Sequence, residues 1–298
     1  MKDLKKDLRI FHGIIILLLL LTVVAVLQPQ SATESKKELY PHQSEVLKKD
    51  TLNKWIRENI AGSVLSIKTS HTIDIQLFNV PDKKGKPIFR VRKALGGSLG
   101  AGTVIKDCQG CLLSVEHVVK NVDSSKKLDE MVAQVQKESP GLYVEAKIVS
   151  EYALVDRQGN TYPARVVMTG KNDLSLVQAI DWKHFSIPGL AVYNGKDFMD
   201  KEAVVIGEPL GHKDTIFFDV HTGNGDIYAS EDGKYTLITA PVLPGNSGGP
   251  VILLYNMKLY SAVSSVVISG KSLTSLGYVA PNDVINEFLK KAVPKAKR

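Results

Sequence analysis

From Gly62 onward, the chain is a succession of short apolar runs, rich in β-branched residues, that are separated by Gly, Pro, Asn and Asp. Roughly a dozen such runs can be counted, and this spacing is typical of the strands of a β-barrel or β-sandwich. Helical patterns are confined to an amphipathic stretch at residues 46–60, a surface helix inserted in a loop at 123–138, and a closing helix at 281–293. The sequence therefore predicts an all-β body with a C-terminal helix.

A long apolar segment precedes this body. Residues 10–27 read IFHGIIILLLLLTVVAVL and directly follow a basic cluster. As a helix, this segment would match the ~30 Å hydrocarbon thickness of a bilayer, and the basic residues before it favour a cytoplasmic N-terminus. We expect a transmembrane helix, which divides the chain into a cytoplasmic N-terminus (1–9), a membrane anchor (10–27), a tether (28–50) and an extracytoplasmic domain, periplasmic or extracellular (51–298).

A cleaved signal peptide is the alternative for the same segment. Its densest apolar part, residues 14–27, has a length within the signal-peptide range. Cleavage needs small residues in an A-x-A-like arrangement, and the sequence QPQSA at 28–32 is a poor match. We therefore favour an uncleaved anchor, whereas cleavage would give a secreted protein.

The chain carries a formal net charge of +7, which could suggest a nucleic-acid partner. Residues 1–9 contribute +2 and residues 286–298 contribute +4, so the remaining body is close to neutral. A body without a basic stripe interleaved with aromatic residues lacks the electrostatic footprint of a nucleic-acid binder. No nucleic-acid partner is expected.

Cys108 and Cys111 are the only cysteines and lie in the sequence KDCQGC. A C-x-x-C pair can form half of a zinc site, a redox pair or a local disulfide. Zinc needs about four ligands and no second cysteine pair exists, while a thioredoxin-type site should open a helix rather than lie in a Gly-containing turn. In an exported protein we expect a small disulfide across a hairpin turn, with no metal and no cofactor.

The strongest local signal is PGNSGGP at residues 244–250. The glycines around Ser247 allow a tight turn in which backbone amides face the same point as the hydroxyl, as acyl transfer requires; a plain Gly-rich turn is the alternative. The motif also satisfies the G-x-S-x-G pattern of α/β-hydrolases. That fold places its histidine after the serine, and because the last histidine here is His221, it is excluded unless the base is another residue type.

His117 is the candidate base, because it follows the apolar run at 111–115 and would lie at the exposed end of a rigid strand. Asp173 immediately precedes the alternating run LSLV, where a carboxylate at a strand mouth could orient the imidazole. A solvated turn aspartate is the alternative for that residue. The other histidines lie in the anchor or tether or are expected to be structural: His12, His42, His71, His184, His212 and His221.

Six ordered motifs resemble the chymotrypsin-like serine proteases, specifically the HtrA/Deg-type branch. They span about residues 62–289 and read GAGTVI (100–105), LLSVEHVV (112–119), NDLSLVQ (172–178), VVIGEPLG (204–211), GNSGGP (245–250) and LGYVAP (276–281). The resemblance implies two packed six-stranded β-barrels. It also implies that Ser247 attacks the scissile carbonyl, His117 shuttles its proton, Asp173 orients His117, and the backbone N–H groups of Gly245 and Ser247 form the oxyanion hole.

The sequence departs from the family pattern in several places. Only 48 residues follow Pro250, so we expect a protease domain without the PDZ module that usually follows in the family. Glu116 adds a charge beside the base, where the family prefers small or amide residues. Digestive relatives have an aspartate at the position of Asn246, which pairs with a newly cut N-terminus. An amide cannot form that ion pair, so we expect no activation by zymogen cleavage.

In this fold, the residues just before the nucleophile line the pocket for the side chain that precedes the cut bond. Here they are Pro241, Val242 and Leu243, with no acid among them. Such a pocket should accept Val, Ala or Leu and reject Lys and Arg, since an unpaired buried cation costs several kcal/mol. The alternative is that these residues belong only to the core.

The sequence thus predicts a membrane-anchored, extracytoplasmic serine endopeptidase that acts on unfolded or exposed polypeptides, as in envelope protein quality control. The alternative is a catalytically silent protease-like domain that binds peptides or partner proteins, and an esterase using the same triad ranks last. The expected partners are polypeptide substrates and the membrane, and a homo-oligomer is left open.

Overall fold

The computed structural model describes residues 50–79, 87–120, 122–195, 201–208, 215–228, 234–239, 242–243, 245–269 and 272–297. The predicted cytoplasmic N-terminus, anchor and all but the last residue of the tether lie outside these ranges. Within the ranges, no helix is both long and apolar enough to cross a bilayer.

Six strands form a first closed barrel in the order β1–β2–β3–β6–β5–β4. They are β1 (Val64–Asn79), β2 (Phe89–Val104), β3 (Cys111–Val115), β4 (Leu142–Val155), β5 (Thr161–Gly170) and β6 (Leu174–Ala179). Strands β3 and β6 are buried along their whole length and pair antiparallel, with Val115 opposite Leu174. Both strands are mostly apolar, and the buried hydroxyls of Ser114 and Ser175 donate to the backbone oxygens of Ala101 and Val115.

A second closed barrel has the order β10–β11–β12–β9–β8–β7. Its strands are β7 (Glu202–Gly207), β8 (Thr215–Tyr228), β9 (Lys234–Ile238), β10 (Pro250–Leu253), β11 (Lys258–Ser269) and β12 (Ser272–Val279). The pairing of β11 with β12 shifts register between Val263 and Ser265. The predicted, mostly β architecture is confirmed.

In the described part of the chain, four α-helices accompany the strands: α1 (Asp50–Asn59), α2 (Glu116–Val119), α3 (Val122–Glu138) and α4 (Asn282–Ala296). Three of them fall where the sequence predicts helices, whereas the single turn α2 was not predicted. Helix α4 runs past its predicted end at 293 and includes Pro294. Ala292 and Ala296 are both buried, so packing of this face continues beyond the proline.

The described residues form two compact units, and each of the strands β1, β2 and β4 has residues in both units. The larger unit comprises residues 37–69, 98–120 and 152–298. Its main apolar core joins β3, β6, β11 and α4, through residues such as Leu112, Leu176, Leu259 and Phe288. This core holds the ends of β3 and β6, next to His117 and Asp173.

The described part of the smaller unit comprises residues 70–79, 87–97 and 122–151. In its described part, Leu128 and Val135 of α3 pack with β1 and β4 residues, including Ile73, Ile75 and Val144. His71 is buried, its Nδ1 lies 2.8 Å from the Ser150 hydroxyl, and burial lowers the pKa of its imidazole. This places the predicted structural His71 inside the packed part of the unit.

Candidate active site

The larger unit contains all of the predicted catalytic residues. His117 lies in α2, directly after the buried strand β3, and its side chain is 48% exposed. The backbone N–H of Glu116 donates to the backbone oxygen of Asp173 at 2.6 Å, next to the Val115–Leu174 pair. The β3–β6 ladder therefore brings His117 and Asp173 to the same strand end.

Asp173 lies in the turn between β5 and β6 and has a left-handed backbone, with φ of 59°, as does Asn172, with φ of 57°. Asp and Asn tolerate this conformation better than most residues, because their short side chains can hydrogen-bond locally. The Asp173 Oδ1 atom accepts the backbone N–H of His117 at 2.9 Å, and Oδ2 accepts His117 Nδ1 at 2.6 Å. The carboxylate thus holds both the main chain and the ring of His117.

The sequence analysis missed Ser264, a residue of β11. Its hydroxyl donates to Asp173 Oδ2 at 2.7 Å, and the residue is only 4% exposed. Asp173 therefore receives hydrogen bonds from His117 and Ser264 together. The signal in the sequence was a polar residue inside the apolar strand run SAVSSVVIS, which did not indicate the partner.

The turn that carries Ser247 is shaped by two glycines with left-handed backbones, Gly245 (φ 101°) and Gly248 (φ 81°). A Cβ atom at Gly248 would overlap the Ala101 carbonyl, so only glycine fits there. The N–H of Gly248 donates to Val263 at 2.7 Å, and the N–H of Gly249 donates to Asn246 at 2.8 Å. Among the described residues, no backbone hydrogen bond is donated by the amides of Gly245 and Ser247, and their role as oxyanion donors stays a prediction.

The hydroxyl of Ser247 donates to the backbone oxygen of Ser264 at 3.4 Å. Ser264 is also the residue that hydrogen-bonds Asp173, so the serine, the aspartate and the histidine are linked through one strand. Within the described residues, the hydroxyl makes this bond and not one to His117. A Ser247–His117 hydrogen bond would require the hydroxyl to turn away from Ser264.

The predicted pocket residues have different surroundings. Val242 is 4% exposed and belongs to the apolar core of the second barrel, and a Cβ atom at Gly277 would overlap its side chain. Leu243 is 9% exposed, and Pro241 lies outside the described residues. Val242 therefore packs in the core, which agrees with the alternative that these residues are core residues. The pocket stays a prediction.

Two further sequence features have a structural context. Cys108 and Cys111 are joined by a disulfide between β2 and β3, and both are buried.

Glu116 accepts a hydrogen bond from Lys120 Nζ at 2.6 Å, so the charge beside His117 is paired. Among the described residues, no cluster of three or more His, Cys, Asp and Glu could hold a metal ion.

A model of the trypsin-like peptidase domain matches residues 100–257, which is more than half of the chain. The chain belongs to this trypsin-like peptidase family. A curated relative of this trypsin-like peptidase, described as a probable periplasmic serine endoprotease DegP-like from Chlamydia pneumoniae, is 25% identical over 136 residues. The alignment covers 44% of this chain and 27% of the relative, so the chain spans about a quarter of that protein.

Solved structures similar to this trypsin-like peptidase include the HtrA-type protease AlgW with a decapeptide and with a tripeptide. Each has a TM-score of 0.55 and 14% sequence identity, and the alignments cover 81% of this chain. They cover 67% and 63% of the AlgW chains, respectively. The predicted resemblance to HtrA/Deg-type proteases is confirmed.

Proposed function

We propose that this trypsin-like peptidase is a serine endopeptidase that hydrolyses peptide bonds through His117, Asp173 and Ser247. In this mechanism, His117 takes the proton of the Ser247 hydroxyl while that oxygen attacks the scissile carbonyl carbon. The amides of Gly245 and Ser247 stabilise the oxyanion, and His117 then gives its proton to the leaving amine. Water repeats the sequence on the acyl-enzyme and releases the second product.

The observation that carries the proposal is the bond from His117 Nδ1 to Asp173 Oδ2 at 2.6 Å. An ionised carboxylate only accepts, so Nδ1 donates and the lone pair of the neutral ring is left on Nε2. Nε2 is the atom that must accept the proton of the serine. The carboxylate also stabilises the imidazolium that forms during the reaction.

One contact favours the alternative of a catalytically silent, peptide-binding domain. The Ser247 hydroxyl donates to Ser264 and not to His117 among the described residues. A hydroxyl held in that position would leave the nucleophile without its base. In our proposal the hydroxyl leaves the Ser264 carbonyl and donates to His117 when a substrate binds.

Reaction with a fluorophosphonate separates these functions, because only an activated serine reacts quickly. The full chain in detergent should be labelled at Ser247, while His117→Ala should react far more slowly and Ser247→Ala should not react. We expect each variant to lower kcat for casein hydrolysis on the order of 10⁶-fold. A folded wild-type protein that is not labelled would support the silent domain, and ester turnover without peptide cleavage would indicate an esterase.

For substrate choice, we propose an apolar pocket near Val242 and Leu243, supported by the absence of a carboxylate from this segment. Peptides with Val, Ala or Leu before the cut bond should be cleaved at least about 100-fold faster than those with Lys or Arg. The AlgW structures with bound peptides are consistent with polypeptide ligands. Equal cleavage after Lys would contradict the apolar pocket.

For localisation, we propose that residues 10–27 anchor the chain and that the peptidase domain is extracytoplasmic, with unfolded or exposed polypeptides as substrates. The run of apolar residues behind a basic cluster supports this topology, and the curated relative is described as periplasmic. Externally added protease should degrade the domain in spheroplasts while a tag on residue 1 stays protected. Release of a soluble domain without the tag would indicate signal cleavage.

A further inference from the structure

Glu208 is a carboxylate that the proposed mechanism does not use, and yet it is almost completely buried. It directly follows β7 and is 8% exposed. The hydroxyl of Ser66, in β1, lies 2.6 Å from both carboxylate oxygens and donates to them, and Ser66 is 1% exposed. Because burying a carboxylate is costly unless it is hydrogen-bonded, this pair indicates a specific structural demand at the end of β7.

The end of β7 touches the nucleophile turn, residues 245–249, at three successive residues. The Ile206 carbonyl lies so close to Gly249 that a Cβ atom there would overlap it. A Cβ atom at Gly207 would lie 2.5 Å from the Asn246 side-chain oxygen. The backbone N–H of Glu208 donates to the Gly245 carbonyl at 3.4 Å. The end of β7 therefore packs directly against the nucleophile turn, so a shift of β7 toward the turn would displace it.

We propose that Glu208 and Ser66 form a positioning pair that fixes the end of β7 and, through it, the oxyanion donors Gly245 and Ser247. This inference rests on the proposed peptidase function. Glu208 reaches the turn through its main chain, while Ser66 holds its side chain. Neither residue touches the reacting atoms, and both act by keeping the turn in place, since a displacement of about 1 Å at a reacting group can cost roughly 100-fold in rate.

The test compares two substitutions of Glu208 in the full chain. Glu208→Leu fills the same space without an acceptor for Ser66, whereas the amide oxygen of Glu208→Gln can still accept that hydroxyl. We expect Glu208→Leu to lower kcat by about 10- to 100-fold with KM within about twofold, and Glu208→Gln to keep kcat within about threefold. Ser66→Ala should lower kcat too and add little to Glu208→Leu, because both variants remove the contact between Ser66 and Glu208.

Asp156 provides the matched control. It is a second buried carboxylate of the larger unit, 6% exposed, and it accepts hydrogen bonds from Asn160 and Tyr162. Asp156→Asn should lower thermal stability and leave kcat unchanged. If Asp156→Asn lowers kcat as much as Glu208→Leu does, general destabilisation explains the effect of Glu208, and the proposal is overturned.

A second measurement does not depend on catalysis. In a Ser247→Ala background, hydrogen exchange of the Gly248 and Gly249 amides reports directly on the order of the turn. Glu208→Leu should accelerate this exchange by about tenfold and Asp156→Asn should not. If the wild type hydrolyses nothing while exchange follows this pattern, the peptidase function fails and the positioning role stands. Unchanged exchange and unchanged kcat in folded Glu208→Leu would refute the positioning role.

Discussion

In each unit, one carboxylate accepts two hydrogen bonds from a single basic residue. In the smaller unit, Asp74 accepts Arg90 Nε at 2.9 Å and Nη2 at 2.7 Å. In the larger unit, Asp173 accepts the backbone N–H of His117 at 2.9 Å and its ring Nδ1 at 2.6 Å. The difference is the partner: a guanidinium keeps its proton under all ordinary conditions, whereas an imidazole can exchange one near neutral pH. The first pair can therefore only hold structure, and the second can perform proton transfer.

Asp74 and Asp173 also differ in their exposure and in their backbone conformation. The Asp74 side chain is 1% exposed and lies within regular strand β1, and hydrogen bonds from Arg90 lower its pKa to about 2. The Asp173 side chain is 19% exposed and lies in a turn with a left-handed backbone. Sparsely populated backbone conformations persist where the surrounding structure enforces them, and they cluster at functional sites. Backbone geometry and partner thus both distinguish the pair that we propose to be reactive from the structural one.

The largest expected effect comes from Asp173→Asn. Asparagine also tolerates the left-handed backbone, so the fold should persist, but the amide cannot enforce Nδ1 as the donor of His117. We expect kcat for a peptide substrate to fall on the order of 10⁴-fold, with an unchanged thermal midpoint. A fall of less than tenfold would show that His117 is oriented by another group.

The equivalent change in the smaller unit, Asp74→Asn, should have the opposite profile. We expect a lower free energy of unfolding and an unchanged kcat for the folded protein. The folded pKa of about 2 lies below the ordinary unfolded value near 3.9, so the contribution of Asp74 is complete above that unfolded value. It is lost as the pH falls toward 2, so urea midpoints of wild type and variant should converge between pH 5 and about pH 2.5. Midpoints that stay equally far apart at both pH values would contradict this assignment.

Removal of a single donor to Asp173 should have an intermediate effect. Ser264→Ala deletes the 2.7 Å bond to Asp173 and leaves both bonds from His117. Without this bond the Asp173 carboxylate is held less firmly, and misplacement of a reacting group lowers the rate, so we expect kcat to fall by roughly tenfold. Ser264→Thr keeps the hydroxyl and serves as the control. If both variants lose the same activity, packing in β11 and not the hydrogen bond explains the effect.

The contrast also shows what the sequence could predict. The strand runs, and the positions of His117 and Asp173 beside them, are local signals, because β3 and β6 are buried along their whole length and are mostly apolar. Ser264 could not be identified, since its partner is 91 residues away along the chain. Glu208 and Ser66, separated by 142 residues, were missed for the same reason. Long-range pairs of polar residues carry no spacing that a single sequence reveals.

Side-chain direction was the second limit. Val242 precedes the nucleophile in the chain, and this position alone predicted a pocket residue. The structure packs it against Gly277 in the second core, because the absence of a side chain at Gly277 leaves space there. Whether a residue beside a turn faces a ligand or the core depends on the opposite strand, which local sequence does not specify.

The smallest effect is expected for the charge pair between Lys120 and Glu116, which lies next to His117. Its removal tests whether a charge pair other than His117–Asp173 affects kcat. Lys120 Nζ donates to Glu116 Oε1 at 2.6 Å and to Thr169 Oγ1 at 2.8 Å, with 48% and 25% of the Lys120 and Glu116 side chains exposed. Solvent weakens such an i,i+4 pair to about 0.3–0.5 kcal/mol. Glu116→Gln should therefore change the free energy of unfolding by no more than about 0.5 kcal/mol and kcat by less than about twofold. Because Glu116 adjoins the proposed base His117 in sequence, a tenfold fall of kcat at unchanged stability would show that Glu116 positions α2. The division between a reactive pair and merely structural pairs would then no longer hold within the larger unit.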